Sequence, residues 1–589
     1  MIADGLPELP VGCHLFEELR LRDAVYVDKT KYLPMLGNTG KFIFCARPRR
    51  FGKSLTVTAL DAFYSGRIDL FRGLTAEKVM DATDFVARPV IRLDMSSVAG
   101  AGSKRVLEKK IMCQLGVSSK RHGVTLRGAD SADAFLLLLI DVHESTAKKV
   151  VVLIDEFDSP VISVIQRKNP AYAEQLDDTR NVMRSFYLRI KTADEHIESA
   201  FITGVTRFSR MGVFSTLNNL IDISLEPEFG AFMGFTQDEL ENNFKEFITK
   251  TANELGKSEK RLLRMIKDYY NGFSFDGKTR LYNPFSILSF LHAKIFKNYW
   301  IKSESKTLIR KFLNDNSVTV EQFHGKVVDD DFASDPGEID DTPPEGFLYQ
   351  AGYLTLRYRN HTEFTLDYPN REVRLSLSTL FFENISPSTA WLDIRKYGRD
   401  LTRHLASGDV KGMVGIFTRL LSSIIYYDHA DANREQRVMT MVDGAQETAD
   451  EGSPKEPSRE TPRVLAEKLL RTMGEGFYRS ILHAGLWMAG ALVTAEKGEN
   501  IDRSDLEAVY GRYPYIIELK MTEDVTGGEK AVKAGMVQID EKGYGRSYKD
   551  PILVSLAIGR KERNIVACLF KSGESGSVKA VEIKLPGKQ

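Results

Sequence analysis

Short, unbroken apolar runs alternate with amphipathic stretches through residues 1–245. Phe42-Ile-Phe-Cys-Ala46, Pro89-Val-Ile-Arg-Leu-Asp94, Val150-Val-Val-Leu-Ile154 and Ser199-Ala-Phe-Ile-Thr-Gly-Val205 read as strands, and Ser54–Tyr64 as the helix leaving the first. Apolar strands separated by helical stretches predict a parallel sheet covered on both faces. Ligands of such sheets gather at the C-terminal strand ends. Here those ends carry Arg47–Ser54, Asp155-Glu156 and Thr206-Arg207.

From 246 to 400 the pattern turns mostly helical, with short aromatic-rich strands such as Leu348–Thr355. Asp329 to Glu345 reads as a solvated acidic loop, a metal-binding role being the less favoured reading. Residues 400–428 read as helical. Glu447 to Pro462 is rich in Glu, Ser, Pro and Lys, which predicts an unstructured linker and a boundary. Beyond it the order helix, strand, strand, helix, strand predicts a second α/β unit. The expected domains are therefore 1–245, 246–400, a helical segment with linker over 401–462, and 463–589.

The longest apolar stretch, Ile481 to Ala495, contains His483 and is too short for a bilayer span. It predicts a buried helix, and no membrane partner is expected. Lys plus Arg equal Asp plus Glu at 81 each, so no global basic field draws the chain to polyanions. The four scattered cysteines form no metal-ligand spacing. They suit a reducing compartment, and the N-terminal residues read as no signal peptide, so a cytoplasmic location is expected.

Arg47-Pro-Arg-Arg-Phe-Gly-Lys-Ser54 between a strand and a helix offers backbone N–H groups, an ammonium and a hydroxyl to a triphosphate and Mg²⁺. Arg49, Arg50, Phe51, Gly52, Lys53, Ser54 and Leu55 form the expected ATP-binding loop, with Lys53 bridging β- and γ-phosphates and Ser54 on the metal. Asp155 is expected to hold Mg²⁺ and Glu156 to polarise the attacking water. Arg207 is either a γ-phosphate sensor or a structural ion-pair partner, and Thr206 or Thr203 supplies a hydroxyl there. Arg47 stands where the usual loop has its first glycine, implying an altered turn. Arg49 and Arg50 either contact phosphate or answer a neighbouring subunit, so a homo-oligomer is a possible partner arrangement.

A second constellation lies near the C-terminus. Alternation along Tyr515-Ile-Ile-Glu-Leu-Lys520 puts Glu518 and Lys520 on one face. With Asp505 alongside, two carboxylates and an ammonium converge, an arrangement that binds Mg²⁺ and activates water against a phosphodiester. Glu475 and Gln538 are candidate accessories. A solvated amphipathic strand is the competing reading. The aromatic runs Tyr269–Phe273 and Tyr349–Tyr353 read as packing rather than base stacking.

These stretches resemble the AAA-ATPase-like proteins fused to a C-terminal PD-(D/E)XK nuclease-superfamily domain. The resemblance rests on Tyr26-Val-Asp-Lys-Thr30, Arg47–Ser54, Leu153-Ile-Asp-Glu-Phe-Asp158, Thr203-Gly-Val-Thr-Arg-Phe208, Phe214–Leu220, Gly234–Leu240, Tyr270-Asn-Gly-Phe273, Tyr282-Asn-Pro-Phe285 and Tyr368-Pro-Asn-Arg-Glu-Val373. It implies an α/β chain: a P-loop NTPase sheet, a helical, winged-helix-like middle domain and a restriction-endonuclease-like C-terminal domain. In this group the arginine-rich loop replaces the first glycine. Asp505, Glu518 and Lys520 are implied as the nuclease core, with Glu475 and Gln538 as accessories. Relatives carry Gly-Arg-x-Asp where this chain has Asp502-Arg-Ser-Asp505. The resemblance further implies ATP and Mg²⁺ as cofactors, nucleic acid (DNA rather than RNA) as partner, and a setting in defence, mobile-element or effector biology. An ATP-operated switch that binds without cutting is the alternative.

Overall fold

The computed structural model describes residues 6–82, 85–165, 172–206, 219–300, 322–329, 332, 344–360, 362–385, 391–426, 474–495, 504–573 and 576–583. Arg207, Phe208, Phe214 to Asn218 and the Glu447–Pro462 stretch lie outside them, as does most of the Asp329–Glu345 acidic run. The chain divides into two compact units, 1–316 with 323–373, and 374–589 with 317–322.

In the first unit, β1 (Phe42–Ala46), β2 (Val90–Asp94), β3 (Val150–Asp155), β4 (Ile197–Gly204) and β5 (Ile221–Asp222) form one sheet in the order β2-β3-β4-β1-β5. Every pairing is parallel. The apolar runs of β1 and β3 are buried along their whole length, as a sheet covered on both faces requires. Helix α1 (Lys53–Tyr64) leaves β1 through the arginine-rich loop. Helices α2 (Lys104–His122), α3 (Ser131–Thr146) and α4 (Tyr172–Thr192) close a core in which Ile111, Phe135 and Phe186 meet Val152 and Ile154.

A helical region follows, with α5 (Gln237–Asn243), α6 (Lys245–Glu254), α7 (Glu259–Tyr270) and α8 (Pro284–Ala293). A capping box between Thr236 and Glu239 starts α5. The strand expected over Leu348–Thr355 is not there. Pro344–Gln350 is helix α9, because Pro344 suits a first helical position and Gly352, at φ 86°, turns the chain only afterwards. The strand begins at Thr355, where β7 (Thr355–Tyr358) and β6 (Val327–Asp329) flank β8 (Glu363–Asp367) antiparallel.

The second unit continues helix α10 (Arg371–Ile385) and adds α11 (Trp391–Ser407), α12 (Val410–Tyr426) and α13 (Glu475–Ala489). The helix expected to reach Ala495 stops at Ala489. Gly490 at φ 88° caps it, and the apolar run continues as strand β9 (Leu492–Ala495). A mixed sheet follows in the order β9-β10-β11-β12-β13-β14, with β10 (Leu506–Tyr510), β11 (Tyr513–Thr522), β12 (Ile552–Gly559), β13 (Asn564–Ser572) and β14 (Lys579–Val581). Helix α14 (Val525–Lys542) makes the crossover between the parallel strands β11 and β12.

Candidate functional site

In the first unit, β4 pairs with both β1 and β3, so Ala46, Gly204 and Asp155 end on one crest. The loop between β1 and α1 turns through two left-handed residues, Arg50 at φ 70° and Gly52 at φ 97°. Arg47 turns toward the segment that follows β5. Its guanidinium donates to the carbonyls of Ala46 (2.9 Å), Ser224 (2.7 Å) and Phe229 (3.1 Å) and lies 4.2 Å from the Phe275 ring centroid. A buried arginine thus anchors the start of the loop to the segment after β5. Phe51 is buried edge-on against Phe273 and Phe275.

Lys53 is buried and folds back to donate to the loop carbonyls of Arg47 (3.0 Å) and Pro48 (3.2 Å). Burial lowers its pKa, against the opposing pull of Glu156, Asp155 and Asp158. Asp155 is pushed up to about 6 by burial, although Ser54 hydrogen-bonds to it and Lys53 lies near. Its Oδ1 is buried and has no hydrogen-bond partner. The Ser54 hydroxyl and the Asp155 carboxylate with its orphaned oxygen form a hard-oxygen pair that fits Mg²⁺. Glu156 sits at φ 48°, and its carboxylate accepts from the Ser159 hydroxyl at 3.0 Å.

Arg49 to Leu55 and Glu156 line a cavity of about 440 Å³, shared with Tyr26, Lys29, Met233 and Phe285. Arg50 stacks over Phe285 at 4.7 Å. The cavity joins a cationic end to an apolar one, a shape suited to a nucleoside polyphosphate. The two candidate threonines are already engaged. Thr203 donates to the Cys45 carbonyl (2.8 Å), and Thr206 donates to Asp158 (2.7 Å).

In the second unit, Leu506 pairs with Ile517, so the antiparallel register sets Asp505 opposite Glu518. Both carboxylates are buried. Asp505 accepts from the Leu519 amide (2.7 Å) and from Arg479 (3.3 Å), and Glu518 accepts from Lys520 (2.9 Å). Burial, then Asp505, raises the pKa of Glu518, whose Oε2 is buried without a partner. Glu475, at the start of α13, shares a hydrogen bond with Asp505 and is pushed up to about 7 by burial and by that neighbour's charge. Lys520 is lowered by burial but raised more by Glu518, Asp505 and Glu475, so it stays charged. Gln538 stands one turn beyond Gly535 on α14, and a Cβ at Gly535 would lie 3.4 Å from Lys520 Cγ.

Among the described residues no three His, Cys, Asp or Glu side chains are gathered around one point as a metal cage. A paired Asp and Glu with one orphaned oxygen nevertheless has the donor chemistry of a Mg²⁺ site.

Residues 10–214 match the family described as "Predicted AAA-ATPase", and residues 473–567 match the PD-(D/E)XK nuclease superfamily. The chain carries an AAA-ATPase domain followed by a nuclease-superfamily domain. It is also 28% identical over 578 residues to an uncharacterized protein in the vnfD 5' region of Azotobacter chroococcum mcd 1, covering 96% of this chain and 99% of that protein. The resemblance and the α/β fold class read from the sequence are borne out. Among the described residues no helix is long and apolar enough to cross a membrane.

Two residues of these domains escaped the sequence reading. Arg479 lies four positions after Glu475, so the helix face that presents one presents the other. Asp158 closes the Asp155-Glu-Phe-Asp run, and its Oδ2 accepts from the Val205 and Thr206 amides and the Thr206 hydroxyl. Gly204 makes room for it, since a Cβ there would fall 2.8 Å from Asp158 Oδ1.

Proposed function

We propose that the AAA-ATPase domain binds and hydrolyses ATP and thereby gates Mg²⁺-dependent cleavage of nucleic acid, DNA rather than RNA, by the nuclease-superfamily domain. The observation that carries the reading is the register setting Asp505 against Glu518, with Lys520 bonded to the second. Two carboxylates buried side by side repel each other, a cost that a bound cation would relieve.

In this reading Lys53 leaves the Arg47 and Pro48 carbonyls for the β- and γ-phosphates, and Arg49 and Arg50 neutralise further phosphate charge. Ser54 and Asp155 hold the metal, while Glu156 orients water. Arg207 lies outside the described residues, and its sensor role is proposed from its position after β4 alone. At the second site Asp505 and Glu518, with Glu475 beside them, hold Mg²⁺, which when bound supplies Lewis acidity and a more acidic water. Lys520 orients that water, and Gln538 supports the site from α14. A cytoplasmic setting and a role in defence, mobile-element or effector biology belong to the same proposal.

The test pairs two variants. Lys53→Ala is expected to abolish ATP turnover. Asp505→Ala is expected to keep turnover and lose DNA cleavage, and cleavage persisting in that variant would remove the assignment. A second reading, a nucleotide-operated switch that does not cut, is favoured by Arg479 and Lys520 already engaging Asp505 and Glu518. Calorimetric titration with Mn²⁺ separates the two readings. Loss of all metal binding in Glu518→Gln supports cleavage, and a wild type that takes no metal supports the switch.

A further inference from the structure

Three sequence runs left unused by the proposed chemistry meet behind the phosphate loop. The Arg49 carbonyl accepts two hydrogen bonds of 3.3 Å, from Asn283 Nδ2 and from Trp300 Nε1. Pro48 and Trp300 close on Gly352, where a Cβ would meet them at 2.8 and 2.9 Å. Both donors lead back to one carboxylate. The Tyr299 and Trp300 amides donate to Glu372 Oε1 at 2.6 and 2.9 Å. Asn283 Oδ1 accepts from the Ser286 amide (3.2 Å), and the Ser286 hydroxyl donates to Glu372 Oε2 at 2.8 Å. Glu372 is wholly buried, the second residue of α10, and the chain passes from the first compact unit to the second between Val373 and Arg374.

Asn370 fixes this helix start. It accepts from the Val373 amide at 3.0 Å and donates to the Tyr270 carbonyl at 3.0 Å. Gly272, at φ 126°, allows the approach, because a Cβ there would stand 2.0 Å from the Pro369 carbonyl oxygen. The first turn of α10 is therefore tied to the loop's supports rather than to solvent.

We propose that Glu372, acting through Trp300 and Asn283, is a positioning residue that transmits the state of the phosphate loop to helix α10. The proposal rests on ATP binding at that loop. Lys53 caps the Arg47 and Pro48 carbonyls in this structure, and reaching a phosphate requires it to let go of them. The next carbonyl, that of Arg49, is the one clamped by Trp300 and Asn283. A shift of that peptide alters two hydrogen bonds whose donor residues both connect to Glu372, Trp300 through its own amide and Asn283 through Ser286, so the movement reaches Glu372 and the first turn of α10.

The test is hydrogen exchange on the full chain, with and without ATP and Mg²⁺, read over residues 374–383, with equilibrium ATP binding measured alongside. In the wild type ATP is expected to change exchange there by about three- to tenfold, the scale of one altered hydrogen bond. Trp300→Phe keeps the ring and deletes the donor to Arg49. Glu372→Gln keeps the shape and removes the charge. Each is expected to bind ATP and to lose the ATP-dependent change. A merely structural role would speed exchange equally in both states and preserve their ratio, which overturns the inference. Should Trp300→Phe fail to fold, the ratio in Glu372→Gln decides by the same criterion. A wild type that binds no ATP would instead sink the proposed function, and the inference with it.

Discussion

Asp158 and Thr206 are joined by two hydrogen bonds of 2.7 Å, from the Thr206 amide and hydroxyl to one carboxylate oxygen. This pair ties the segment after β3 to the segment after β4. Removing the carboxylate strands the buried Thr206 amide and its hydroxyl, and the half-buried Val205 amide. Asp158→Ala is expected to lose about 2–4 kcal/mol in urea unfolding of the AAA-ATPase domain. Thr206→Val removes only one of the bonds and is expected to lose about 1 kcal/mol. Equal losses in the two variants would deny the clamp.

Lys53 gives the opposite expectation for the ligand-free protein. Its ammonium is buried, and in the absence of phosphate its hydrogen bonds go to two carbonyls. Lys53→Met relieves that desolvation, so its thermal midpoint without nucleotide is expected to equal or exceed the wild type's. At a hundredfold excess over Kd, ATP with Mg²⁺ should stabilise the wild type by about 2.7 kcal/mol and the variant hardly at all. A variant that melts early without nucleotide would mean Lys53 is a structural cation.

How much of this was legible in the sequence depends on distance along the chain. The strands Phe42–Ala46 and Val150–Asp155 were readable because continuous apolar runs end abruptly in Arg47 and Asp155-Glu156. The common face of Glu518 and Lys520 was readable from alternation, whereas the place of Asp505 beside Glu518 hung on a strand register that the sequence does not specify. Leu348–Thr355 misled because its aromatic residues suit strands, whereas the boundary was set by Pro344 and Gly352 on either side. Ile481–Ala495 misled because apolarity alone does not reveal that Gly490 turns the chain. Glu372 and Trp300 were invisible as a pair, since 72 residues separate them and only tertiary packing brings them together.

The pKa of Glu475 gives a pH dependence with a definite sign. Burial and the Asp505 carboxylate raise it from 4.5 to about 7 in the folded chain. Between those values the folded state binds the extra proton, so this group's contribution to stability falls as pH rises from about 4.5 to about 7. Metal affinity runs the other way, because ligand carboxylates must be ionised. Mn²⁺ binding to the nuclease-superfamily domain is therefore expected to strengthen as pH passes through about 7. Glu475→Gln should flatten that rise, and an equally steep rise in the variant would exclude Glu475 as its source.

Gly535 and Ser555 supply a test that needs no metal. An added Cβ at Gly535 would fall 2.3 Å from Ser555 Oγ, with Lys520 Cγ at an ordinary 3.4 Å, so the hydroxyl must turn aside or α14 must shift away from β12, the strand that carries Ser555. Gly535→Ala is expected to cost about 1–3 kcal/mol, the usual scale of overpacking. The Ser555 hydroxyl is buried with no hydrogen-bond partner, so Ser555→Ala by itself should be neutral or stabilising. Because it removes the atom that the new methyl strikes, Ser555→Ala should restore most of the stability lost in Gly535→Ala. A double-mutant cycle then gives a coupling energy of about 1 kcal/mol or more. Simple additivity of the two substitutions would mean that α14 and β12 do not press on each other at this point.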